Sequence, residues 1–332
     1  MSRKLYLLIL WVAILVILAV APHVLDIYYT NVIVLFAIFA LYAISLNLLL
    51  GYTGLLSFGH ALFFGGGAYA TAIALTHIPN LPLIPAVLIG GFTALILAMI
   101  TSPLLVRVSG TAFAMLTLAF GQLMYVICLK FRNITGGEDG VGGFPIPSFH
   151  IPGIISIDMT NSTNFYYFTI IVVGLCIFLL WFLTKTPYGS IIIGIRDNDL
   201  RVDYLGFRVQ PSKAVIFLIS GFFAGIAGAY YALLQDLVST DGVLVIYMSF
   251  FPLMMAFIGG IGSFFGPIYG SALLTILDEL IIRYTERVEL VTGLVFILVV
   301  MYAPGGFAGF LAYLKEKWLS KPSFRETGKE IS

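Results

Sequence analysis

Six polar side chains stand out because apolar residues surround them on both sides. They are Asn47, Ser57, His60, Thr111, Thr117 and Gln122. Each can hydrogen-bond a neighbouring helix, or it can serve a polar solute that crosses an apolar environment. His60 is the strongest candidate for the second role. Burying an ionisable side chain at membrane depth costs free energy, so its presence points to a pathway or an interior site. The sequence therefore predicts a translocation path along Asn47, Ser57, His60 and Gln122.

Motifs for covalent catalysis are missing from the sequence. It has no His-Glu-x-x-His, Gly-x-Ser-x-Gly or Walker A pattern. An intramembrane hydrolase would need such groups. We therefore expect no catalytic residue, no metal site and no cofactor on this chain. Any ATP hydrolysis must take place on another chain, which would bind the ATP and Mg²⁺.

The elements that carry these polar residues are apolar. The chain has 332 residues, of which 60% are apolar and 10% are charged, and its mean hydropathy is +1.05. An ordinary soluble domain carries about 25% charged residues, so a soluble enzyme is excluded, and a disordered chain needs the opposite composition. A net charge of +1 excludes a strongly basic nucleic-acid binder. Two cysteines exclude a disulfide framework, and we interpret Cys128 and Cys176 as small core residues.

Runs without charge define the predicted spans. Asp, Glu, Lys and Arg are absent from residues 5–25, 27–106, 108–129, 159–184, 214–235, 242–277 and 290–314. A membrane-spanning helix needs about 20 apolar residues, so the longest run must fold back several times at its Gly and Pro clusters. The predicted passes are 5–21, 29–50, 54–77, 83–106, 110–130, 165–184, 212–234, 249–262, 267–282 and 290–303.

The predicted fold class is an all-α polytopic membrane protein with a single transmembrane domain over 1–332. We expect about ten transmembrane helices, and eight would fit the charges equally well. The Gly-rich segments 51–67 and 259–270 are expected to be broken or re-entrant. A continuous helix over 249–283 would be about 52 Å long, whereas the hydrocarbon core is about 30 Å thick. An interfacial helix is expected at 307–317.

The basic residues indicate the orientation. An even number of spans places both termini on one side, together with 13 of the 17 Lys and Arg residues. The positive-inside rule makes this side the cytoplasm. We therefore expect a cytoplasmic loop at 185–213, a cytoplasmic tail at 315–332 and an extracytoplasmic loop at 131–164. The N-terminal apolar run also resembles a cleavable signal peptide, but it is longer than usual and we expect a retained first helix.

Two loops and one helix have recognisable local patterns. In the outer loop, Thr135, Gly136, Gly137 and Gly140 favour a tight loop over the outer mouth or a docking site. In the inner loop, residues 195–205 are predicted to form one short amphipathic helix, capped by Gly206, that can dock into a groove on a partner. A plain solvated loop is the alternative in both places. Small residues predicted to allow close helix packing are Gly221, Gly225 and Ala229, with the offset pair Ala224 and Gly228.

These segments together resemble the branched-chain amino acid ABC transporter permeases, in particular the larger, LivM-type subgroup. The stretch from Asn47 to Tyr69, with its glycines, Ser57 and His60, is similar to the signature of that family. Thr135-Gly136-Gly137-x-x-Gly140 resembles its outer loop. The resemblance to its cytoplasmic coupling loop rests on Gly194, Arg196, Asp197, Asp199, Leu205 and Gly206. It extends over about residues 30–312, and one departure is Val202-Asp203, where the family commonly has paired alanines.

The resemblance implies a permease subunit of an ABC importer in the cell (inner) membrane. The implied partners are a second, homologous permease in a heterodimer, two ABC ATPase subunits and an extracytoplasmic solute-binding protein. The implied substrates are branched-chain and related hydrophobic amino acids, with urea or short amides as the alternative within the family. A stand-alone secondary transporter or channel would not need the docking loop, and a membrane scaffold would carry no solute.

Overall fold

The computed structural model describes residues 18–151, 155–285, 287–302, 305–307 and 309. Helices dominate this part of the chain, as the sequence predicts. After helical residues 18–24, the helices are α1 (Ile27–Thr53), α2 (Ala61–His77), α3 (Leu83–Leu105), α4 (Thr111–Lys130), α5 (Arg132–Thr135), α6 (Ser162–Lys185), α7 (Pro187–Asp197), α8 (Asp199–Tyr204), α9 (Val209–Gln235), α10 (Thr240–Val243), α11 (Ile246–Gly259), α12 (Gly266–Ile282) and α13 (Val288–Tyr302).

Six segments in the described part of the chain are long and apolar enough to cross a membrane. They are α1, α3, α4, α6, α9 and Thr240–Gly259, the last interrupted at residues 244–245. Long apolar helices therefore occupy the positions predicted for the passes at 29–50, 83–106, 110–130, 165–184 and 212–234. The helices α2, α12 and α13 are apolar but shorter. The pass expected at 5–21 and the helix expected at 307–317 lie mostly outside the described residues, and the tail at 315–332 lies entirely outside them.

Helix α1 lies at the centre of the bundle. Residues 37–49 are buried without exception, and α1 packs against α6, α9, α11 and α12. Its sequence is apolar on every side, which is typical of a helix that other helices surround. Helix α1 thus connects helices that are far apart in the sequence.

Small residues bring α9 close to α2 and α3, as their spacing predicts. A Cβ added at Gly225 would overlap Ala94 of α3, and one added at Gly228 would overlap the backbone carbonyl of Phe64 in α2. Lipid provides no hydrophobic driving force for helix association, so close packing of the backbones stabilises the contact instead. The two cysteines are free and buried, which confirms their interpretation as core residues.

Helix breaks occur where glycines cluster. The pass predicted at 54–77 begins as a helix only at Ala61, because α1 ends at Thr53 and residues 54–60 are not helical. The segment predicted to break at 259–270 does so between the end of α11 at Gly259 and the start of α12 at Gly266. Both breaks are thus inside the segments that the sequence singles out.

The inner loop contains two helices, so the prediction of one helix over 195–205 is wrong. Helix α7 ends at Asp197, and Asn198 is extended (φ −165°). The Asn198 side chain accepts a hydrogen bond from the backbone N–H of Arg201 at 2.9 Å and thereby caps the start of α8. This local competition between side chain and backbone explains the interruption. Gly206 closes α8 at φ +88°, with Phe207 N donating to Val202 O, so its predicted capping role is confirmed.

Short strands tie down the opposite end of the bundle. Strand β1 (Val141–Gly142) pairs antiparallel with β4 (Leu237–Val238), which directly follows α9. Strands β2 (Phe149–Ile151) and β3 (Ile155–Ile157) pair antiparallel within the loop at 131–164. Since α9 is about 40 Å long, this loop and the loop at 185–213 lie at opposite ends of that helix.

Candidate functional site

The two helix breaks meet beside the end of α1. Asn47 Nδ2 donates to Ser263 O at 3.0 Å, which joins α1 to the break between α11 and α12. One turn later, a Cβ added at Gly51 would lie 3.0 Å from Gly262 N, so this contact requires glycine or a shift of the backbone. Helix α1 ends at Thr53 and is capped by Gly54, which has a left-handed conformation (φ +73°). The end of α1 and the loop at 260–265 therefore form one structural unit.

Arg196 connects the inner loop to this unit. Its Nη1 donates to the backbone carbonyl of Gly51 at 2.7 Å, and its Nη2 pairs with Asp197 Oδ1 at 3.0 Å. A guanidinium near a helix C-terminus satisfies a carbonyl that has no partner within the helix and interacts favourably with the helix dipole. The stem of Arg196 also lies against Gly54 and its tip near Gly262. One side chain of α7 thus lies next to both breaks.

His60 lies in a packed polar niche at the start of α2. Its Nε2 is 3.0 Å from Ser45 Oγ, and its ring stacks on Tyr42 with the ring centroids 5.5 Å apart. Ser45 donates its own hydroxyl proton to Tyr42 O at 2.7 Å. We therefore assign the His60 proton to Nε2, which leaves Nδ1 as an acceptor. The side chain is fully buried.

Three of the four predicted path residues carry a polar atom without a hydrogen-bond partner among the described residues. Asn47 Oδ1, Ser57 Oγ and His60 Nδ1 are buried and have no hydrogen-bond partner among the described residues. Buried polar atoms are normally paired, so each of these atoms needs an explanation. Gln122 is half-buried on α4 and is not joined to the other three by a hydrogen bond between described residues. The structure thus brings three of the four residues to the helix breaks and leaves Gln122 apart.

Several hydroxyl groups that position the break at 54–60 are not among the predicted path residues. Phe58 N donates to Thr117 Oγ1 at 3.1 Å, and Ala61 N donates to Ser249 Oγ at 3.1 Å. Ser220 Oγ donates to Ser45 O at 2.6 Å. The first two bonds satisfy backbone N–H groups that the interruption of the helix leaves free, whereas the third joins α9 to α1. Single serines and threonines in apolar runs are too common in sequences for their partners to be predicted.

The inner loop has a fixed side and an exposed side. Lys213 is buried and pairs with Asp199 at 3.4 Å, which anchors α8 to α9. Tyr188 OH donates to Ser212 O at 2.6 Å, which anchors α7. Burial raises the pKa of Tyr188 to about 12, so the phenol keeps the proton that it donates.

The other side of this loop is apolar and exposed. Leu200, Tyr204 and Leu205 are 67%, 88% and 70% exposed. Next to them, a groove of about 670 Å³ runs between α7 and α8, and Gly194, Val202 and Leu205 are among its lining residues. Apolar side chains that project from a charged loop are typical of a surface that another protein covers.

The outer loop contains a tight turn that lies against the strand β4. Thr135 Oγ1 donates to Phe131 O at 2.9 Å and accepts from Gly137 N at 3.3 Å. Gly136, Gly137 and Gly140 all have positive φ, and Gly140 lies against the carbonyl of Val238. The predicted tight turn therefore exists. Its role as a docking site stays a prediction.

The chain is similar to transport proteins over most of its length. Residues 28–303 match the family described as "Branched-chain amino acid transport system / permease component". The "High-affinity branched-chain amino acid transport system permease protein LivM" of Escherichia coli is 27% identical over 325 residues, which cover 92% of this chain and 75% of that protein. A probable branched-chain amino acid transport permease protein LivM of Methanocaldococcus jannaschii is 23% identical and covers 90% and 96% of the two chains.

A relative with a different named substrate matches a shorter region. The guanosine ABC transporter permease protein NupQ of Bacillus subtilis is 31% identical over 179 residues, which cover 52% of each chain. No solved structure matches the chain. The match to the family covers the spans, both helix breaks and the inner loop. The chain is therefore a multi-pass membrane protein that belongs to the family of permease components of branched-chain amino acid transport systems.

Proposed function

We propose that this chain is a permease subunit of an ATP-driven importer of branched-chain amino acids. It would act in a heterodimer with a second, homologous permease, with two ABC ATPase subunits on one face and a solute-binding protein on the other. The family match and the names of the relatives support this proposal. The missing Walker A sequence supports a separate ATPase.

The observation that carries the coupling role is the hydrogen bond from Arg196 to Gly51 O at 2.7 Å. An ATPase that binds the exposed apolar side of α7 and α8 would move the loop when ATP closes the ATPase pair. Arg196 would then pull on the end of α1 and on the loop at 260–265. Alternating access needs an element with two states that ATP and ligand favour differently, and these two breaks are that element in our proposal.

The breaks also supply groups for the passage. An amino acid crosses the membrane as a zwitterion, whose charges must be met by dipoles or helix ends in an apolar environment. The unpaired atoms of Asn47, Ser57 and His60 are suited to this role. In the packed state that the structure represents they are closed to solvent, so the second state would expose them.

The topology that we propose has ten passes, with both termini in the cytoplasm. The turn at 106–109 and the loop at 185–213 line one common pocket, which supports their assignment to the same side. At the other end, residues 78–82 and 145–148 line another pocket. The basic residues favour the first of these ends as the cytoplasmic one.

Uptake of labelled leucine in native cells with and without this chain tests the proposal. Loss of ATP-dependent leucine uptake, restored by the gene on a plasmid, is the expected result. Labelled guanosine and urea serve as parallel tracers, because one relative is a guanosine permease and urea is the alternative within the resemblance. Normal leucine uptake with a loss of guanosine or urea uptake would retain the importer and replace its substrate. Normal uptake of all three would contradict the proposal.

A further inference from the structure

A second pocket lies at the same end of the bundle as α7 and α8 but takes no part in the Arg196 contact. It has a volume of about 430 Å³ and lies between the turn at 106–109, helix α8 and the first turn of α9. The three elements come from distant parts of the sequence. The pocket therefore joins a turn between two spans to the loop that we propose as the ATPase docking site.

Cations without partners meet at this pocket. Arg107 is the only charged residue between Asp26 and Lys130, and Arg208 comes from the far side of the inner loop. Both line the pocket, and neither forms an ion pair with any described residue. A third cation, Lys213, is already neutralised by Asp199. Three cations and two carboxylates, Asp199 and Asp203, line the pocket, so its lining has a net charge of 3 − 2 = +1 and favours an anion.

The N-terminus of α9 adds donors to the same pocket. Helix α9 has 27 residues, and its N-cap residue, Arg208, makes no side-chain capping bond. No acidic residue lies in its first turn. The first N–H groups of a helix have no partner within the helix, and together with the helix dipole they favour an anion. Val209 and Gln210, which supply these groups, both line the pocket.

The surroundings of the pocket indicate which anion it holds. Helices α3 and α9 emerge from the bundle here, and the apolar side chain of Leu104, near the end of α3, is 52% exposed. A membrane protein meets phosphate groups at this depth, and basic pockets between spanning helices bind lipid headgroups. We propose that this pocket binds the phosphate group of an anionic phospholipid. The bound headgroup would hold the turn at 106–109 against α8.

The test compares the removal of positive charges at the pocket with the removal of a negative one, because the two should change binding in opposite directions. Asp203 also lines the pocket, and within the described part of the chain it forms no ion pair. It would repel a phosphate. The proposal therefore predicts that removing two positive charges weakens binding and that removing this one negative charge strengthens it, whereas a structural role for these residues gives no such pair of signs.

The experiment titrates the full-length, delipidated chain in detergent with phosphatidylglycerol and follows lipid binding by native mass spectrometry. The double variant Arg107→Gln/Arg208→Gln should bind about 30-fold more weakly, since each basic residue near an anionic lipid contributes about fivefold. Asp203→Asn should bind a few-fold more tightly. Arg201→Gln, which removes an exposed charge outside the pocket, is the control and should bind as the unaltered chain does.

Two further probes identify the source of the phosphate. Phosphatidylcholine, whose headgroup adds a positive charge, should bind more weakly than phosphatidylglycerol to the unaltered chain. Millimolar inorganic phosphate serves as the second probe. If it displaces phosphatidylglycerol from the unaltered chain but not from the double variant, the site is the same and free phosphate is its ligand. Equal binding of phosphatidylglycerol to the double variant and to the unaltered chain would overturn the proposal.

Discussion

Arg196→Gln tests the role of Arg196 in coupling the inner loop to α1. Glutamine is shorter and neutral, so the contact with Gly51 O and the pairing with Asp197 are both lost. The anchors of the loop at Tyr188 and Lys213 are unaffected, because they involve other residues. The loop should therefore stay folded and attached to α9 while its connection to α1 is broken.

The structure gives the size of the effect. A hydrogen bond to a charged donor contributes about 1.5–3 kcal/mol. The Arg196 side chain is 37% exposed and also pairs with Asp197, so we take a value just below this range, about 1.4 kcal/mol. If the contact is made in one state of the transporter and not in the other, its loss shifts their equilibrium by about tenfold.

The assay is ATP hydrolysis by the assembled transporter in lipid, with and without ligand-loaded binding protein. In Arg196→Gln, we expect stimulation by the binding protein to fall about tenfold while basal hydrolysis and assembly are kept. Arg201→Gln is the matched control, because Arg201 is exposed and its side chain forms no ion pair with described residues. Equal stimulation in the two variants would refute the reasoning.

Three other variants test the helix breaks and the loop. Gly59→Ala places a methyl group into the backbone of α4 and should destabilise the chain by about 1–3 kcal/mol in thermal unfolding, whereas Gly174→Ala, which meets open space, should not. His60→Phe keeps a ring for stacking but removes both nitrogens, and several-fold slower leucine uptake at normal expression is expected; unchanged uptake would restrict His60 to packing. Asp199→Asn leaves the buried ammonium of Lys213 without its counter-ion, so limited proteolysis should cut the loop at 185–213 faster. An unchanged cleavage rate would show that this pair does not anchor the loop.

The spans were predictable because their signal is strong and repeated. A charge-free run of about 20 residues has few alternatives to a spanning helix, and α3, α4 and α6 begin and end within three residues of the predicted passes. The glycine clusters also predicted both breaks, since glycine destabilises helices and allows close backbone approach.

The contacts at the breaks were not predictable in the same way. Arg196 precedes an acidic residue in a charged loop, and nothing in that pattern indicates that its guanidinium turns back to Gly51, which is 145 positions away in the chain. The interruption at Asn198 depends on a choice between two ways of satisfying the backbone, which a periodic pattern does not resolve. Likewise, Thr117 and Ser249 bond free N–H groups that exist only once the break has formed.

The distance between the inner loop and the second break tests the central claim most directly. Spin labels at Tyr204→Cys and Ile261→Cys, both exposed positions, report this distance in the assembled transporter, and the native cysteines are buried. We predict that ATP binding changes this distance little in the otherwise unaltered chain, because Arg196 moves the loop at 260–265 together with the inner loop, and that it changes the distance in Arg196→Gln, where only the inner loop responds. The same ATP-dependent distances in both chains would contradict transmission through Arg196.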